Sequence, residues 1–152
     1  GNSFVCIYKD SELVLIDFNR AALKAFVEKN ALAGKIVLVE FGVLGCELSD
    51  KGLREMAAYQ RKKLVPDVSF LRLEMSEESA AVDAYYEEVN PPFPVVKSPP
   101  QELVEALGAT AFPQFILLDK FARVRYRGPL PDVDDLYDWS IVLQLEEGDE
   151  KM

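Results

Sequence analysis

The chain contains no histidine and only two cysteines, Cys6 and Cys46, among its 152 residues. Without histidine, Ser-His-Asp and Cys-His nucleophile pairs are excluded, together with the usual zinc and iron ligand sets. Two cysteines are also too few for a disulfide scaffold or for a cysteine zinc site. The chemistry that remains available is that of thiols, carboxylates and lysines.

Long apolar runs and an excess of positive charge are also missing. No apolar run reaches the roughly 18 residues that indicate a membrane span, and the first residues lack the charged start and apolar stretch of a signal peptide. The chain carries 17 lysines and arginines against 26 aspartates and glutamates, a formal net charge of −9. Because an acidic surface repels phosphate backbones, we expect no nucleic-acid binding.

Much of the negative charge lies near the C-terminus. The acidic residues there are Asp132, Asp134, Asp135, Asp138, Glu146, Glu147, Asp149 and Glu150. We interpret them as a solvated helix end and an acidic tail over residues 145–152. A divalent-cation site is the alternative, but the spacing lacks the glycine punctuation of a calcium loop. We therefore expect no metal and no cofactor.

Apolar residues make up 49% of the chain, enough for one core in a single domain over residues 1–152. Strand-like and helix-like patterns follow in the order β-β-α-β-α-β-α-(β)-α-β-β-α. The alternation predicts an α/β fold with parallel pairing in its first part and an antiparallel hairpin near its end. Helices should cover both faces of this mixed sheet.

The strands are predicted at residues 4–8, 13–17, 35–41, 68–73, 114–118 and 124–127, with a short strand at the end of 90–97. The first two strands would form a hairpin. Helices are predicted after caps at Asn19, Ser76, Ser98 and Asp132, and over residues 49–64. The helix after Ser98 should end at Gly108. The last helix is expected to bury Val133, Leu136, Tyr137 and Ile141.

Cys46 is the residue best placed for chemistry. It follows the buried strand 35–41 and lies at, or just before, the start of the next helix. Free backbone N–H groups and the helix dipole stabilise an anion at such a position, and the thiolate is the reactive form of cysteine. The alternative is an inert cysteine that acts as a small apolar residue.

Residues 37–46, Val-Leu-Val-Glu-Phe-Gly-Val-Leu-Gly-Cys, resemble the thioredoxin strand that leads into the active-site Trp-Cys-Gly-Pro-Cys motif. Pro113 falls at the position of the thioredoxin cis-proline, and Gly128 at that of the glycine after the last hairpin. Residues 93–97 and the turn 118–124 resemble the extracytoplasmic TlpA/ResA-type proteins, which are redoxins related to the AhpC/TSA superfamily. The resemblance covers about residues 4–143.

This resemblance implies a thioredoxin-like three-layer α/β/α fold with a mixed central sheet, an extra N-terminal hairpin and a central insertion. The active-site motif departs from the family pattern. Ser49 replaces the second cysteine, Gly45 the preceding tryptophan and Leu48 the proline of the motif. Val43 stands where peroxiredoxins have a threonine, so peroxide reduction is only a minor alternative.

The resemblance implies roles for Cys46 and Glu40, and hydrogen-bond chemistry suggests one for Ser49. Cys46 would be the nucleophile, and Ser49 would donate a hydrogen bond that lowers the pKa of its thiol. Glu40, six residues earlier, would be a buried proton relay whose pKa is raised by desolvation; a partly exposed glutamate is the alternative. A Cys-x-x-Ser motif can attack a disulfide but cannot resolve the mixed disulfide. Release then needs an external thiol such as glutathione, or Cys6, for which we expect a buried structural position instead.

The predicted docking groove lies beside the cis-proline. Phe112 and Pro113 would form one wall, with Gly45, Glu47 and Leu48 on the side of the thiol. An extended peptide could pair with free backbone groups there and bring its cysteine to the nucleophile. A trans proline before an edge strand is the alternative for Pro113.

Two functions remain open from the sequence. The first is monothiol thiol–disulfide exchange by a monomer that acts on protein or low-molecular-weight disulfides without a cofactor. The second is a non-catalytic interaction module that binds an extended peptide in the same groove. The family resemblance implies an extracytoplasmic location, and the cytoplasm is the alternative.

Overall fold

The computed structural model of the chain describes residues 20–147. The predicted N-terminal hairpin over residues 4–17, Cys6 and the cap Asn19 lie outside the described residues. From residue 20 onward, the elements follow the predicted order α-β-α-β-α-β-α-β-β-α. The expectation of alternating helices and strands with a late hairpin is confirmed.

The helices are α1 Arg20–Lys29, α2 Glu47–Arg61, α3 Ala80–Val89, α4 Gln101–Leu107 and α5 Val133–Leu145. The strands are β1 Ile36–Gly42, β2 Val68–Glu74, β3 Val95–Lys97, β4 Gln114–Leu118 and β5 Val124–Gly128. None of the helices within residues 20–147 is long and apolar enough to cross a membrane.

The strands form one mixed sheet in the order β3-β2-β1-β4-β5. Strand β2 is parallel to both β1 and β3, whereas β4 is antiparallel to both β1 and β5. The central strand β1 is buried along its whole length, as its nearly continuous apolar pattern predicts. The C-terminal end of β1 therefore lies between β2 and β4, in the middle of the sheet.

Helices cover both faces of the sheet, because successive side chains of a strand point to opposite faces. Val37 and Val39 of β1 pack in a cluster with side chains from α1 and α4. Ile36 and Leu38 pack in a second cluster with side chains from α2 and α5. The three-layer α/β/α architecture is thus confirmed. By the same alternation, Glu40 lies on the face covered by α2.

The start of α3 differs from the prediction. Ser79, and not Ser76, is its N-cap, and the Ser79 hydroxyl accepts a hydrogen bond from the Val82 N–H at 3.3 Å. Ser76 lies in the loop after β2, where its hydroxyl accepts the Leu44 N–H at 2.8 Å. The donor that Ser76 binds thus comes from a loop that is distant along the chain, which no local capping rule takes into account.

The start of α4 also differs. The helix begins after Pro100, and Ser98 is not its cap. Ser98 has a positive φ of 50°. A residue that precedes proline is disfavoured in the helical region, so the Pro99-Pro100 pair delays the helix until both prolines have passed. The predicted end is confirmed, since Gly108 is left-handed with φ 69°.

Helix α5 begins at its predicted cap but exposes two residues that were expected in the core. The Asp132 carboxylate accepts a hydrogen bond from the Asp134 N–H at 2.9 Å. Tyr137 and Ile141 are 46% and 42% exposed. The most deeply buried apolar side chains of the helix are Leu136, Trp139 and Leu143. These three recur at helical spacing, and Tyr137 and Ile141 lie outside their stripe.

Glu146 is not the solvated tail residue that we expected. Its carboxylate binds the Arg125 guanidinium, with Nη2 2.9 Å from Oε2. The Asp119 carboxylate accepts the Arg125 Nη1–H at 3.1 Å and the Arg123 Nε–H at 2.9 Å. These ion pairs join the end of α5 to the β4–β5 hairpin.

Candidate active site

The turn between β1 and α2 places Cys46 at the start of a long helix. Cys46 is the N-cap of α2 in an extended conformation, φ −103° and ψ 117°. Its carbonyl accepts the first helical hydrogen bond, from the Asp50 N–H at 3.0 Å. The residue is half-buried and unpaired. The predicted position of the thiol at a helix N-terminus is therefore observed, although α2 begins two residues earlier than predicted.

The surroundings of Cys46 favour its thiolate. Hydrogen bonds from the Ser49 N–H and the Ser49 hydroxyl lower the pKa of the Cys46 thiol, and the Leu48 N–H and the charge of Arg72 act in the same direction. Desolvation opposes these contributions but does not outweigh them. A lowered pKa increases the fraction of thiolate, the nucleophilic form, at neutral pH.

Ser49 is completely buried under the turn. Its hydroxyl oxygen accepts a hydrogen bond from the Val43 N–H at 3.3 Å. Because a hydroxyl has one proton and two lone pairs, Ser49 can hold the turn and still donate its proton to the sulfur.

Glu40 is completely buried on the same face of the sheet as α2. Its Oε1 accepts a hydrogen bond from Arg72 Nη1 at 2.8 Å, whereas its Oε2 has no hydrogen-bond partner among the described residues. Desolvation raises the pKa of Glu40 to about 7, with the Arg72 charge acting in the opposite direction. The alternative of a partly exposed glutamate is therefore wrong.

Arg72 and Glu74 belong to the site but were not predicted. Arg72 is completely buried and pairs with both Glu40 and Glu74, with Nη2 3.0 Å from Glu74 Oε1. A buried charge needs such partners because it has lost its hydration. Their spacing, two residues apart in β2, could have shown that both side chains point to the same face of the sheet. The strand register then sets Glu40 opposite Arg72.

Two glycines make room for this ion-pair cluster. A Cβ at Gly42 would collide with the Arg72 guanidinium. A Cβ at Gly52 in α2 would lie 2.8 Å from Glu40 Oε2 and 2.7 Å from the Phe115 ring. Helix α2 therefore packs closely on the buried carboxyl through the bare backbone of Gly52.

The Phe112–Pro113 peptide bond is cis, as the family resemblance implied. In the sheet register Phe41 of β1 lies opposite Gln114. Pro113 is therefore next to the C-terminal end of β1, where the turn that carries Cys46 begins. The Gln114 side chain accepts the Thr110 N–H at 2.9 Å and so ties down the loop before the proline.

The other predicted docking residues lie on the surface of the protein. Leu48 is 65% exposed and Phe112 is 48% exposed, which is unusual for large apolar side chains. Gly45, with φ 83°, and Glu47 are also exposed. Within residues 20–147 there is no cluster of three or more side chains that could hold a metal ion.

No protein-family model matches the chain, and no curated protein is significantly similar to it. Solved structures are similar in fold. StoA from Bacillus subtilis is 17% identical with a TM-score of 0.61, over 71% of this chain and 84% of that chain. A putative thiol:disulfide interchange protein DsbE from Chlorobium tepidum is 14% identical with a TM-score of 0.62, over 89% and 94%.

The chain has a thioredoxin-like fold. A secreted thiol-disulfide isomerase from Corynebacterium glutamicum shares this fold, with 16% identity, a TM-score of 0.61 and coverage of 76% of this chain and 74% of that chain. The expected fold class is confirmed, and the structural neighbours are of the type that the sequence resembles. At these identities the likeness concerns architecture, so activity has to be argued from the site.

Proposed function

We propose that this thioredoxin-like protein carries out thiol–disulfide exchange with Cys46 as its only motif thiol. The observation that carries the proposal is the position of Cys46, which is the half-buried N-cap of α2. Hydrogen bonding by the Ser49 N–H and hydroxyl lowers the pKa of its thiol there. This arrangement stabilises a thiolate on an accessible surface. Two of the three fold neighbours described above are named as thiol–disulfide proteins, which is consistent with this chemistry.

The reaction consists of two exchanges. The Cys46 thiolate attacks one sulfur of a partner disulfide, which forms a mixed disulfide and releases the other partner sulfur as a thiolate that takes up a proton. A second thiol, from the partner or from a small molecule, then attacks the mixed disulfide and releases Cys46. Because Ser49 cannot perform this second attack, the mixed disulfide should persist until such a thiol arrives.

Glu40 is proposed to exchange protons near the thiol. A carboxyl group with a pKa of about 7 is present in both protonation states at neutral pH, which suits a general acid and base. The Arg72 guanidinium that binds Glu40 also donates to the Ser49 carbonyl at 3.3 Å. Arg72 thus connects Glu40 directly to the start of α2, which stabilises the sulfur.

The substrate class is proposed from the surface of the turn. Exposed Leu48 and Phe112 suit an extended segment with apolar side chains next to its cysteine. The net charge of −9 favours neutral or basic partners over the anionic glutathione disulfide, above all at low ionic strength. We propose an extracytoplasmic location, where protein disulfides are common.

A non-catalytic peptide-binding module is the second candidate. The observation that favours it is the combination of Ser49 at the second motif position with the exposed apolar side chains of Leu48 and Phe112. In this case the groove would bind peptides that lack cysteine, and Cys46 would be dispensable.

The pH dependence of Cys46 alkylation distinguishes the two candidates. We would measure it in a Cys6→Ser protein by mass spectrometry, with Cys6→Ser/Cys46→Ser as the unlabelled control. A midpoint near or below about pH 7 supports the exchange function, since an unperturbed thiol titrates near about 8.5. A midpoint at or above the unperturbed value, or labelling only after denaturation, would refute it and favour the module.

A further inference from the structure

Two serine hydroxyls hold consecutive peptide N–H groups of the turn that carries Cys46. The Val43 N–H donates to Ser49 Oγ at 3.3 Å, and the Leu44 N–H donates to Ser76 Oγ at 2.8 Å. The first serine belongs to α2, and the second belongs to the loop after β2. The turn is therefore held from two different elements.

Ser76 is itself held by the buried ion-pair cluster. Its backbone N–H donates to Glu74 Oε2 at 3.0 Å. The other carboxylate oxygen of Glu74 accepts hydrogen bonds from Arg72 Nη2, at 3.0 Å, and from the Tyr86 hydroxyl. With both oxygens engaged, the Glu74 carboxylate cannot rotate, and this keeps the Ser76 backbone in place.

The same arginine reaches the other side of the turn. Arg72 Nη1 donates to the Ser49 carbonyl at 3.3 Å, while Nη2 binds Glu74. One buried guanidinium thus connects both serines, Ser49 directly and Ser76 through Glu74. Both serines that accept hydrogen bonds from the turn are therefore held by the same buried arginine.

The residue just before Cys46 provides no such restraint. Gly45 has a positive φ of 83°, and no atom lies within 4 Å of the place where a Cβ would be. A glycine in open space can rotate at little energetic cost. Cys46 is held from the helix side by the Asp50 N–H, which donates to its carbonyl. On the strand side its orientation depends on how firmly the peptide units at Val43 and Leu44 are held.

We propose that Ser76, oriented by Glu74, is a positioning residue that keeps the Cys46 sulfur over the Ser49 N–H and hydroxyl. The inference rests on the proposed function, since it concerns how the nucleophile is prepared. Loss of the Ser76 hydroxyl would leave the Leu44 N–H to water and allow the turn to rotate about Gly45. The sulfur would then spend less time at the hydrogen-bond donors of α2, and less thiolate would be present at neutral pH.

Three serine variants in a Cys6→Ser background test the proposal. Ser76→Ala removes the hydroxyl, and Ser76→Thr keeps one at the same place. Ser79→Ala is the matched control, because the Ser79 hydroxyl caps α3 through the Val82 N–H, whereas the N–H groups of the turn donate to Ser49 and Ser76. For each variant we would measure the pH profile of Cys46 alkylation and confirm folding by urea unfolding.

We expect Ser76→Ala to raise the midpoint pH and to slow alkylation at pH 7 by about three- to tenfold, the range of one neutral hydrogen bond. Ser76→Thr should restore the rate, and Ser79→Ala should leave the midpoint unchanged. A folded Ser76→Ala protein with the parent midpoint would overturn the positioning role while the proposed exchange function stands. A parent midpoint at or above about 8.5 would overturn both.

Amide hydrogen exchange in the parent protein gives a second test that needs no variant. The Leu44 N–H should exchange slowly if Ser76 holds it, and clearly more slowly than the N–H of exposed Glu47 in the first turn of α2. Equally fast exchange at both positions would refute the Ser76 contact in solution and with it the positioning role.

Discussion

Glu40 should make the protein less stable as the pH rises from the acidic range toward neutrality. Its carboxyl is fully buried, and its pKa is raised from 4.5 to about 7 in the folded protein. A group with a raised pKa binds more protons when the chain is folded. Its contribution to stability is therefore complete below the unfolded value of 4.5 and is lost as the pH approaches the folded value.

The size of the effect follows from the difference between the two pKa values. One pKa unit corresponds to about 1.4 kcal/mol, so a change from 4.5 to about 7 amounts to about 3 kcal/mol lost across that interval. The pKa values of Asp50 and Glu74 are lowered, by hydrogen bonds from Tyr85 and Tyr86 against opposing desolvation. Those two groups change the free energy of unfolding below about pH 4.5. They do not mask the effect of Glu40 between pH 4.5 and about 7.

Urea unfolding at several pH values between about 5 and 8 measures this slope. Both the parent and the Glu40→Gln protein should carry Cys46→Ser, because titration of the thiol would add a slope of opposite sign. Glu40→Gln should flatten the profile, since glutamine keeps the shape of the side chain without the titration. Glu28→Gln, at an exposed position of α1, controls for the change in net charge.

A parent protein whose unfolding free energy stays constant over this range would refute the reasoning. So would a Glu40→Gln protein that keeps the parent slope. Either result would mean that Glu40 stays ionised near neutral pH, with Arg72 outweighing desolvation. Glu40 would then be a structural ion-pair partner, and the proposed proton exchange would lose its basis.

Three further predictions concern the turn, its packing and the groove. Ser49→Ala should slow Cys46 alkylation at pH 7 by about tenfold or more, because a hydrogen bond to a charged group is lost. Gly52→Ala should lower the free energy of unfolding by about 1–3 kcal/mol, since the new methyl group overlaps the Phe115 ring and Glu40 Oε2. Leu48→Ala and Phe112→Ala should reduce mixed-disulfide formation with a basic, apolar peptide disulfide, measured by non-reducing mass spectrometry, while the rate of alkylation by iodoacetamide stays unchanged.

Each of these predictions has a control. Ser140→Ala removes another buried hydroxyl, which donates to the Tyr137 carbonyl at 2.7 Å, and should leave the alkylation rate unchanged. Lys51→Ala, at an exposed position next to Gly52, should change stability little. A stable Gly52→Ala protein would mean that α2 can move away from Glu40. Unchanged peptide exchange in the Leu48 and Phe112 variants would place the docking surface elsewhere.

The order of the elements and the position of Cys46 were predictable from the sequence. Apolar periodicity identifies β1 and α2 from neighbouring residues alone, and Cys46 lies between them. The cis bond before Pro113 was expected from the family resemblance and is observed. The burial of Glu40 was implied by the same resemblance and is also observed.

The competition between hydrogen-bond acceptors was not predictable in the same way. Ser76 and Ser79 both suit a helix cap by local rules, yet Ser76 binds the Leu44 N–H from another part of the chain. Tyr137 was expected in the core but lies on the surface. The reason is that the face of α5 that packs on the sheet depends on the rotation of the whole helix.

The order of elements, the burial of β1 and the thiol at the start of α2 follow from residues that are close together along the chain, so local patterns are enough to predict them. The surroundings of that thiol depend on contacts between distant segments. The register of two parallel strands brings Glu40 opposite Arg72, and Glu74 then connects this pair to Ser76. Such contacts arise when separate segments pack, since a buried charge must find its partners wherever the fold places them.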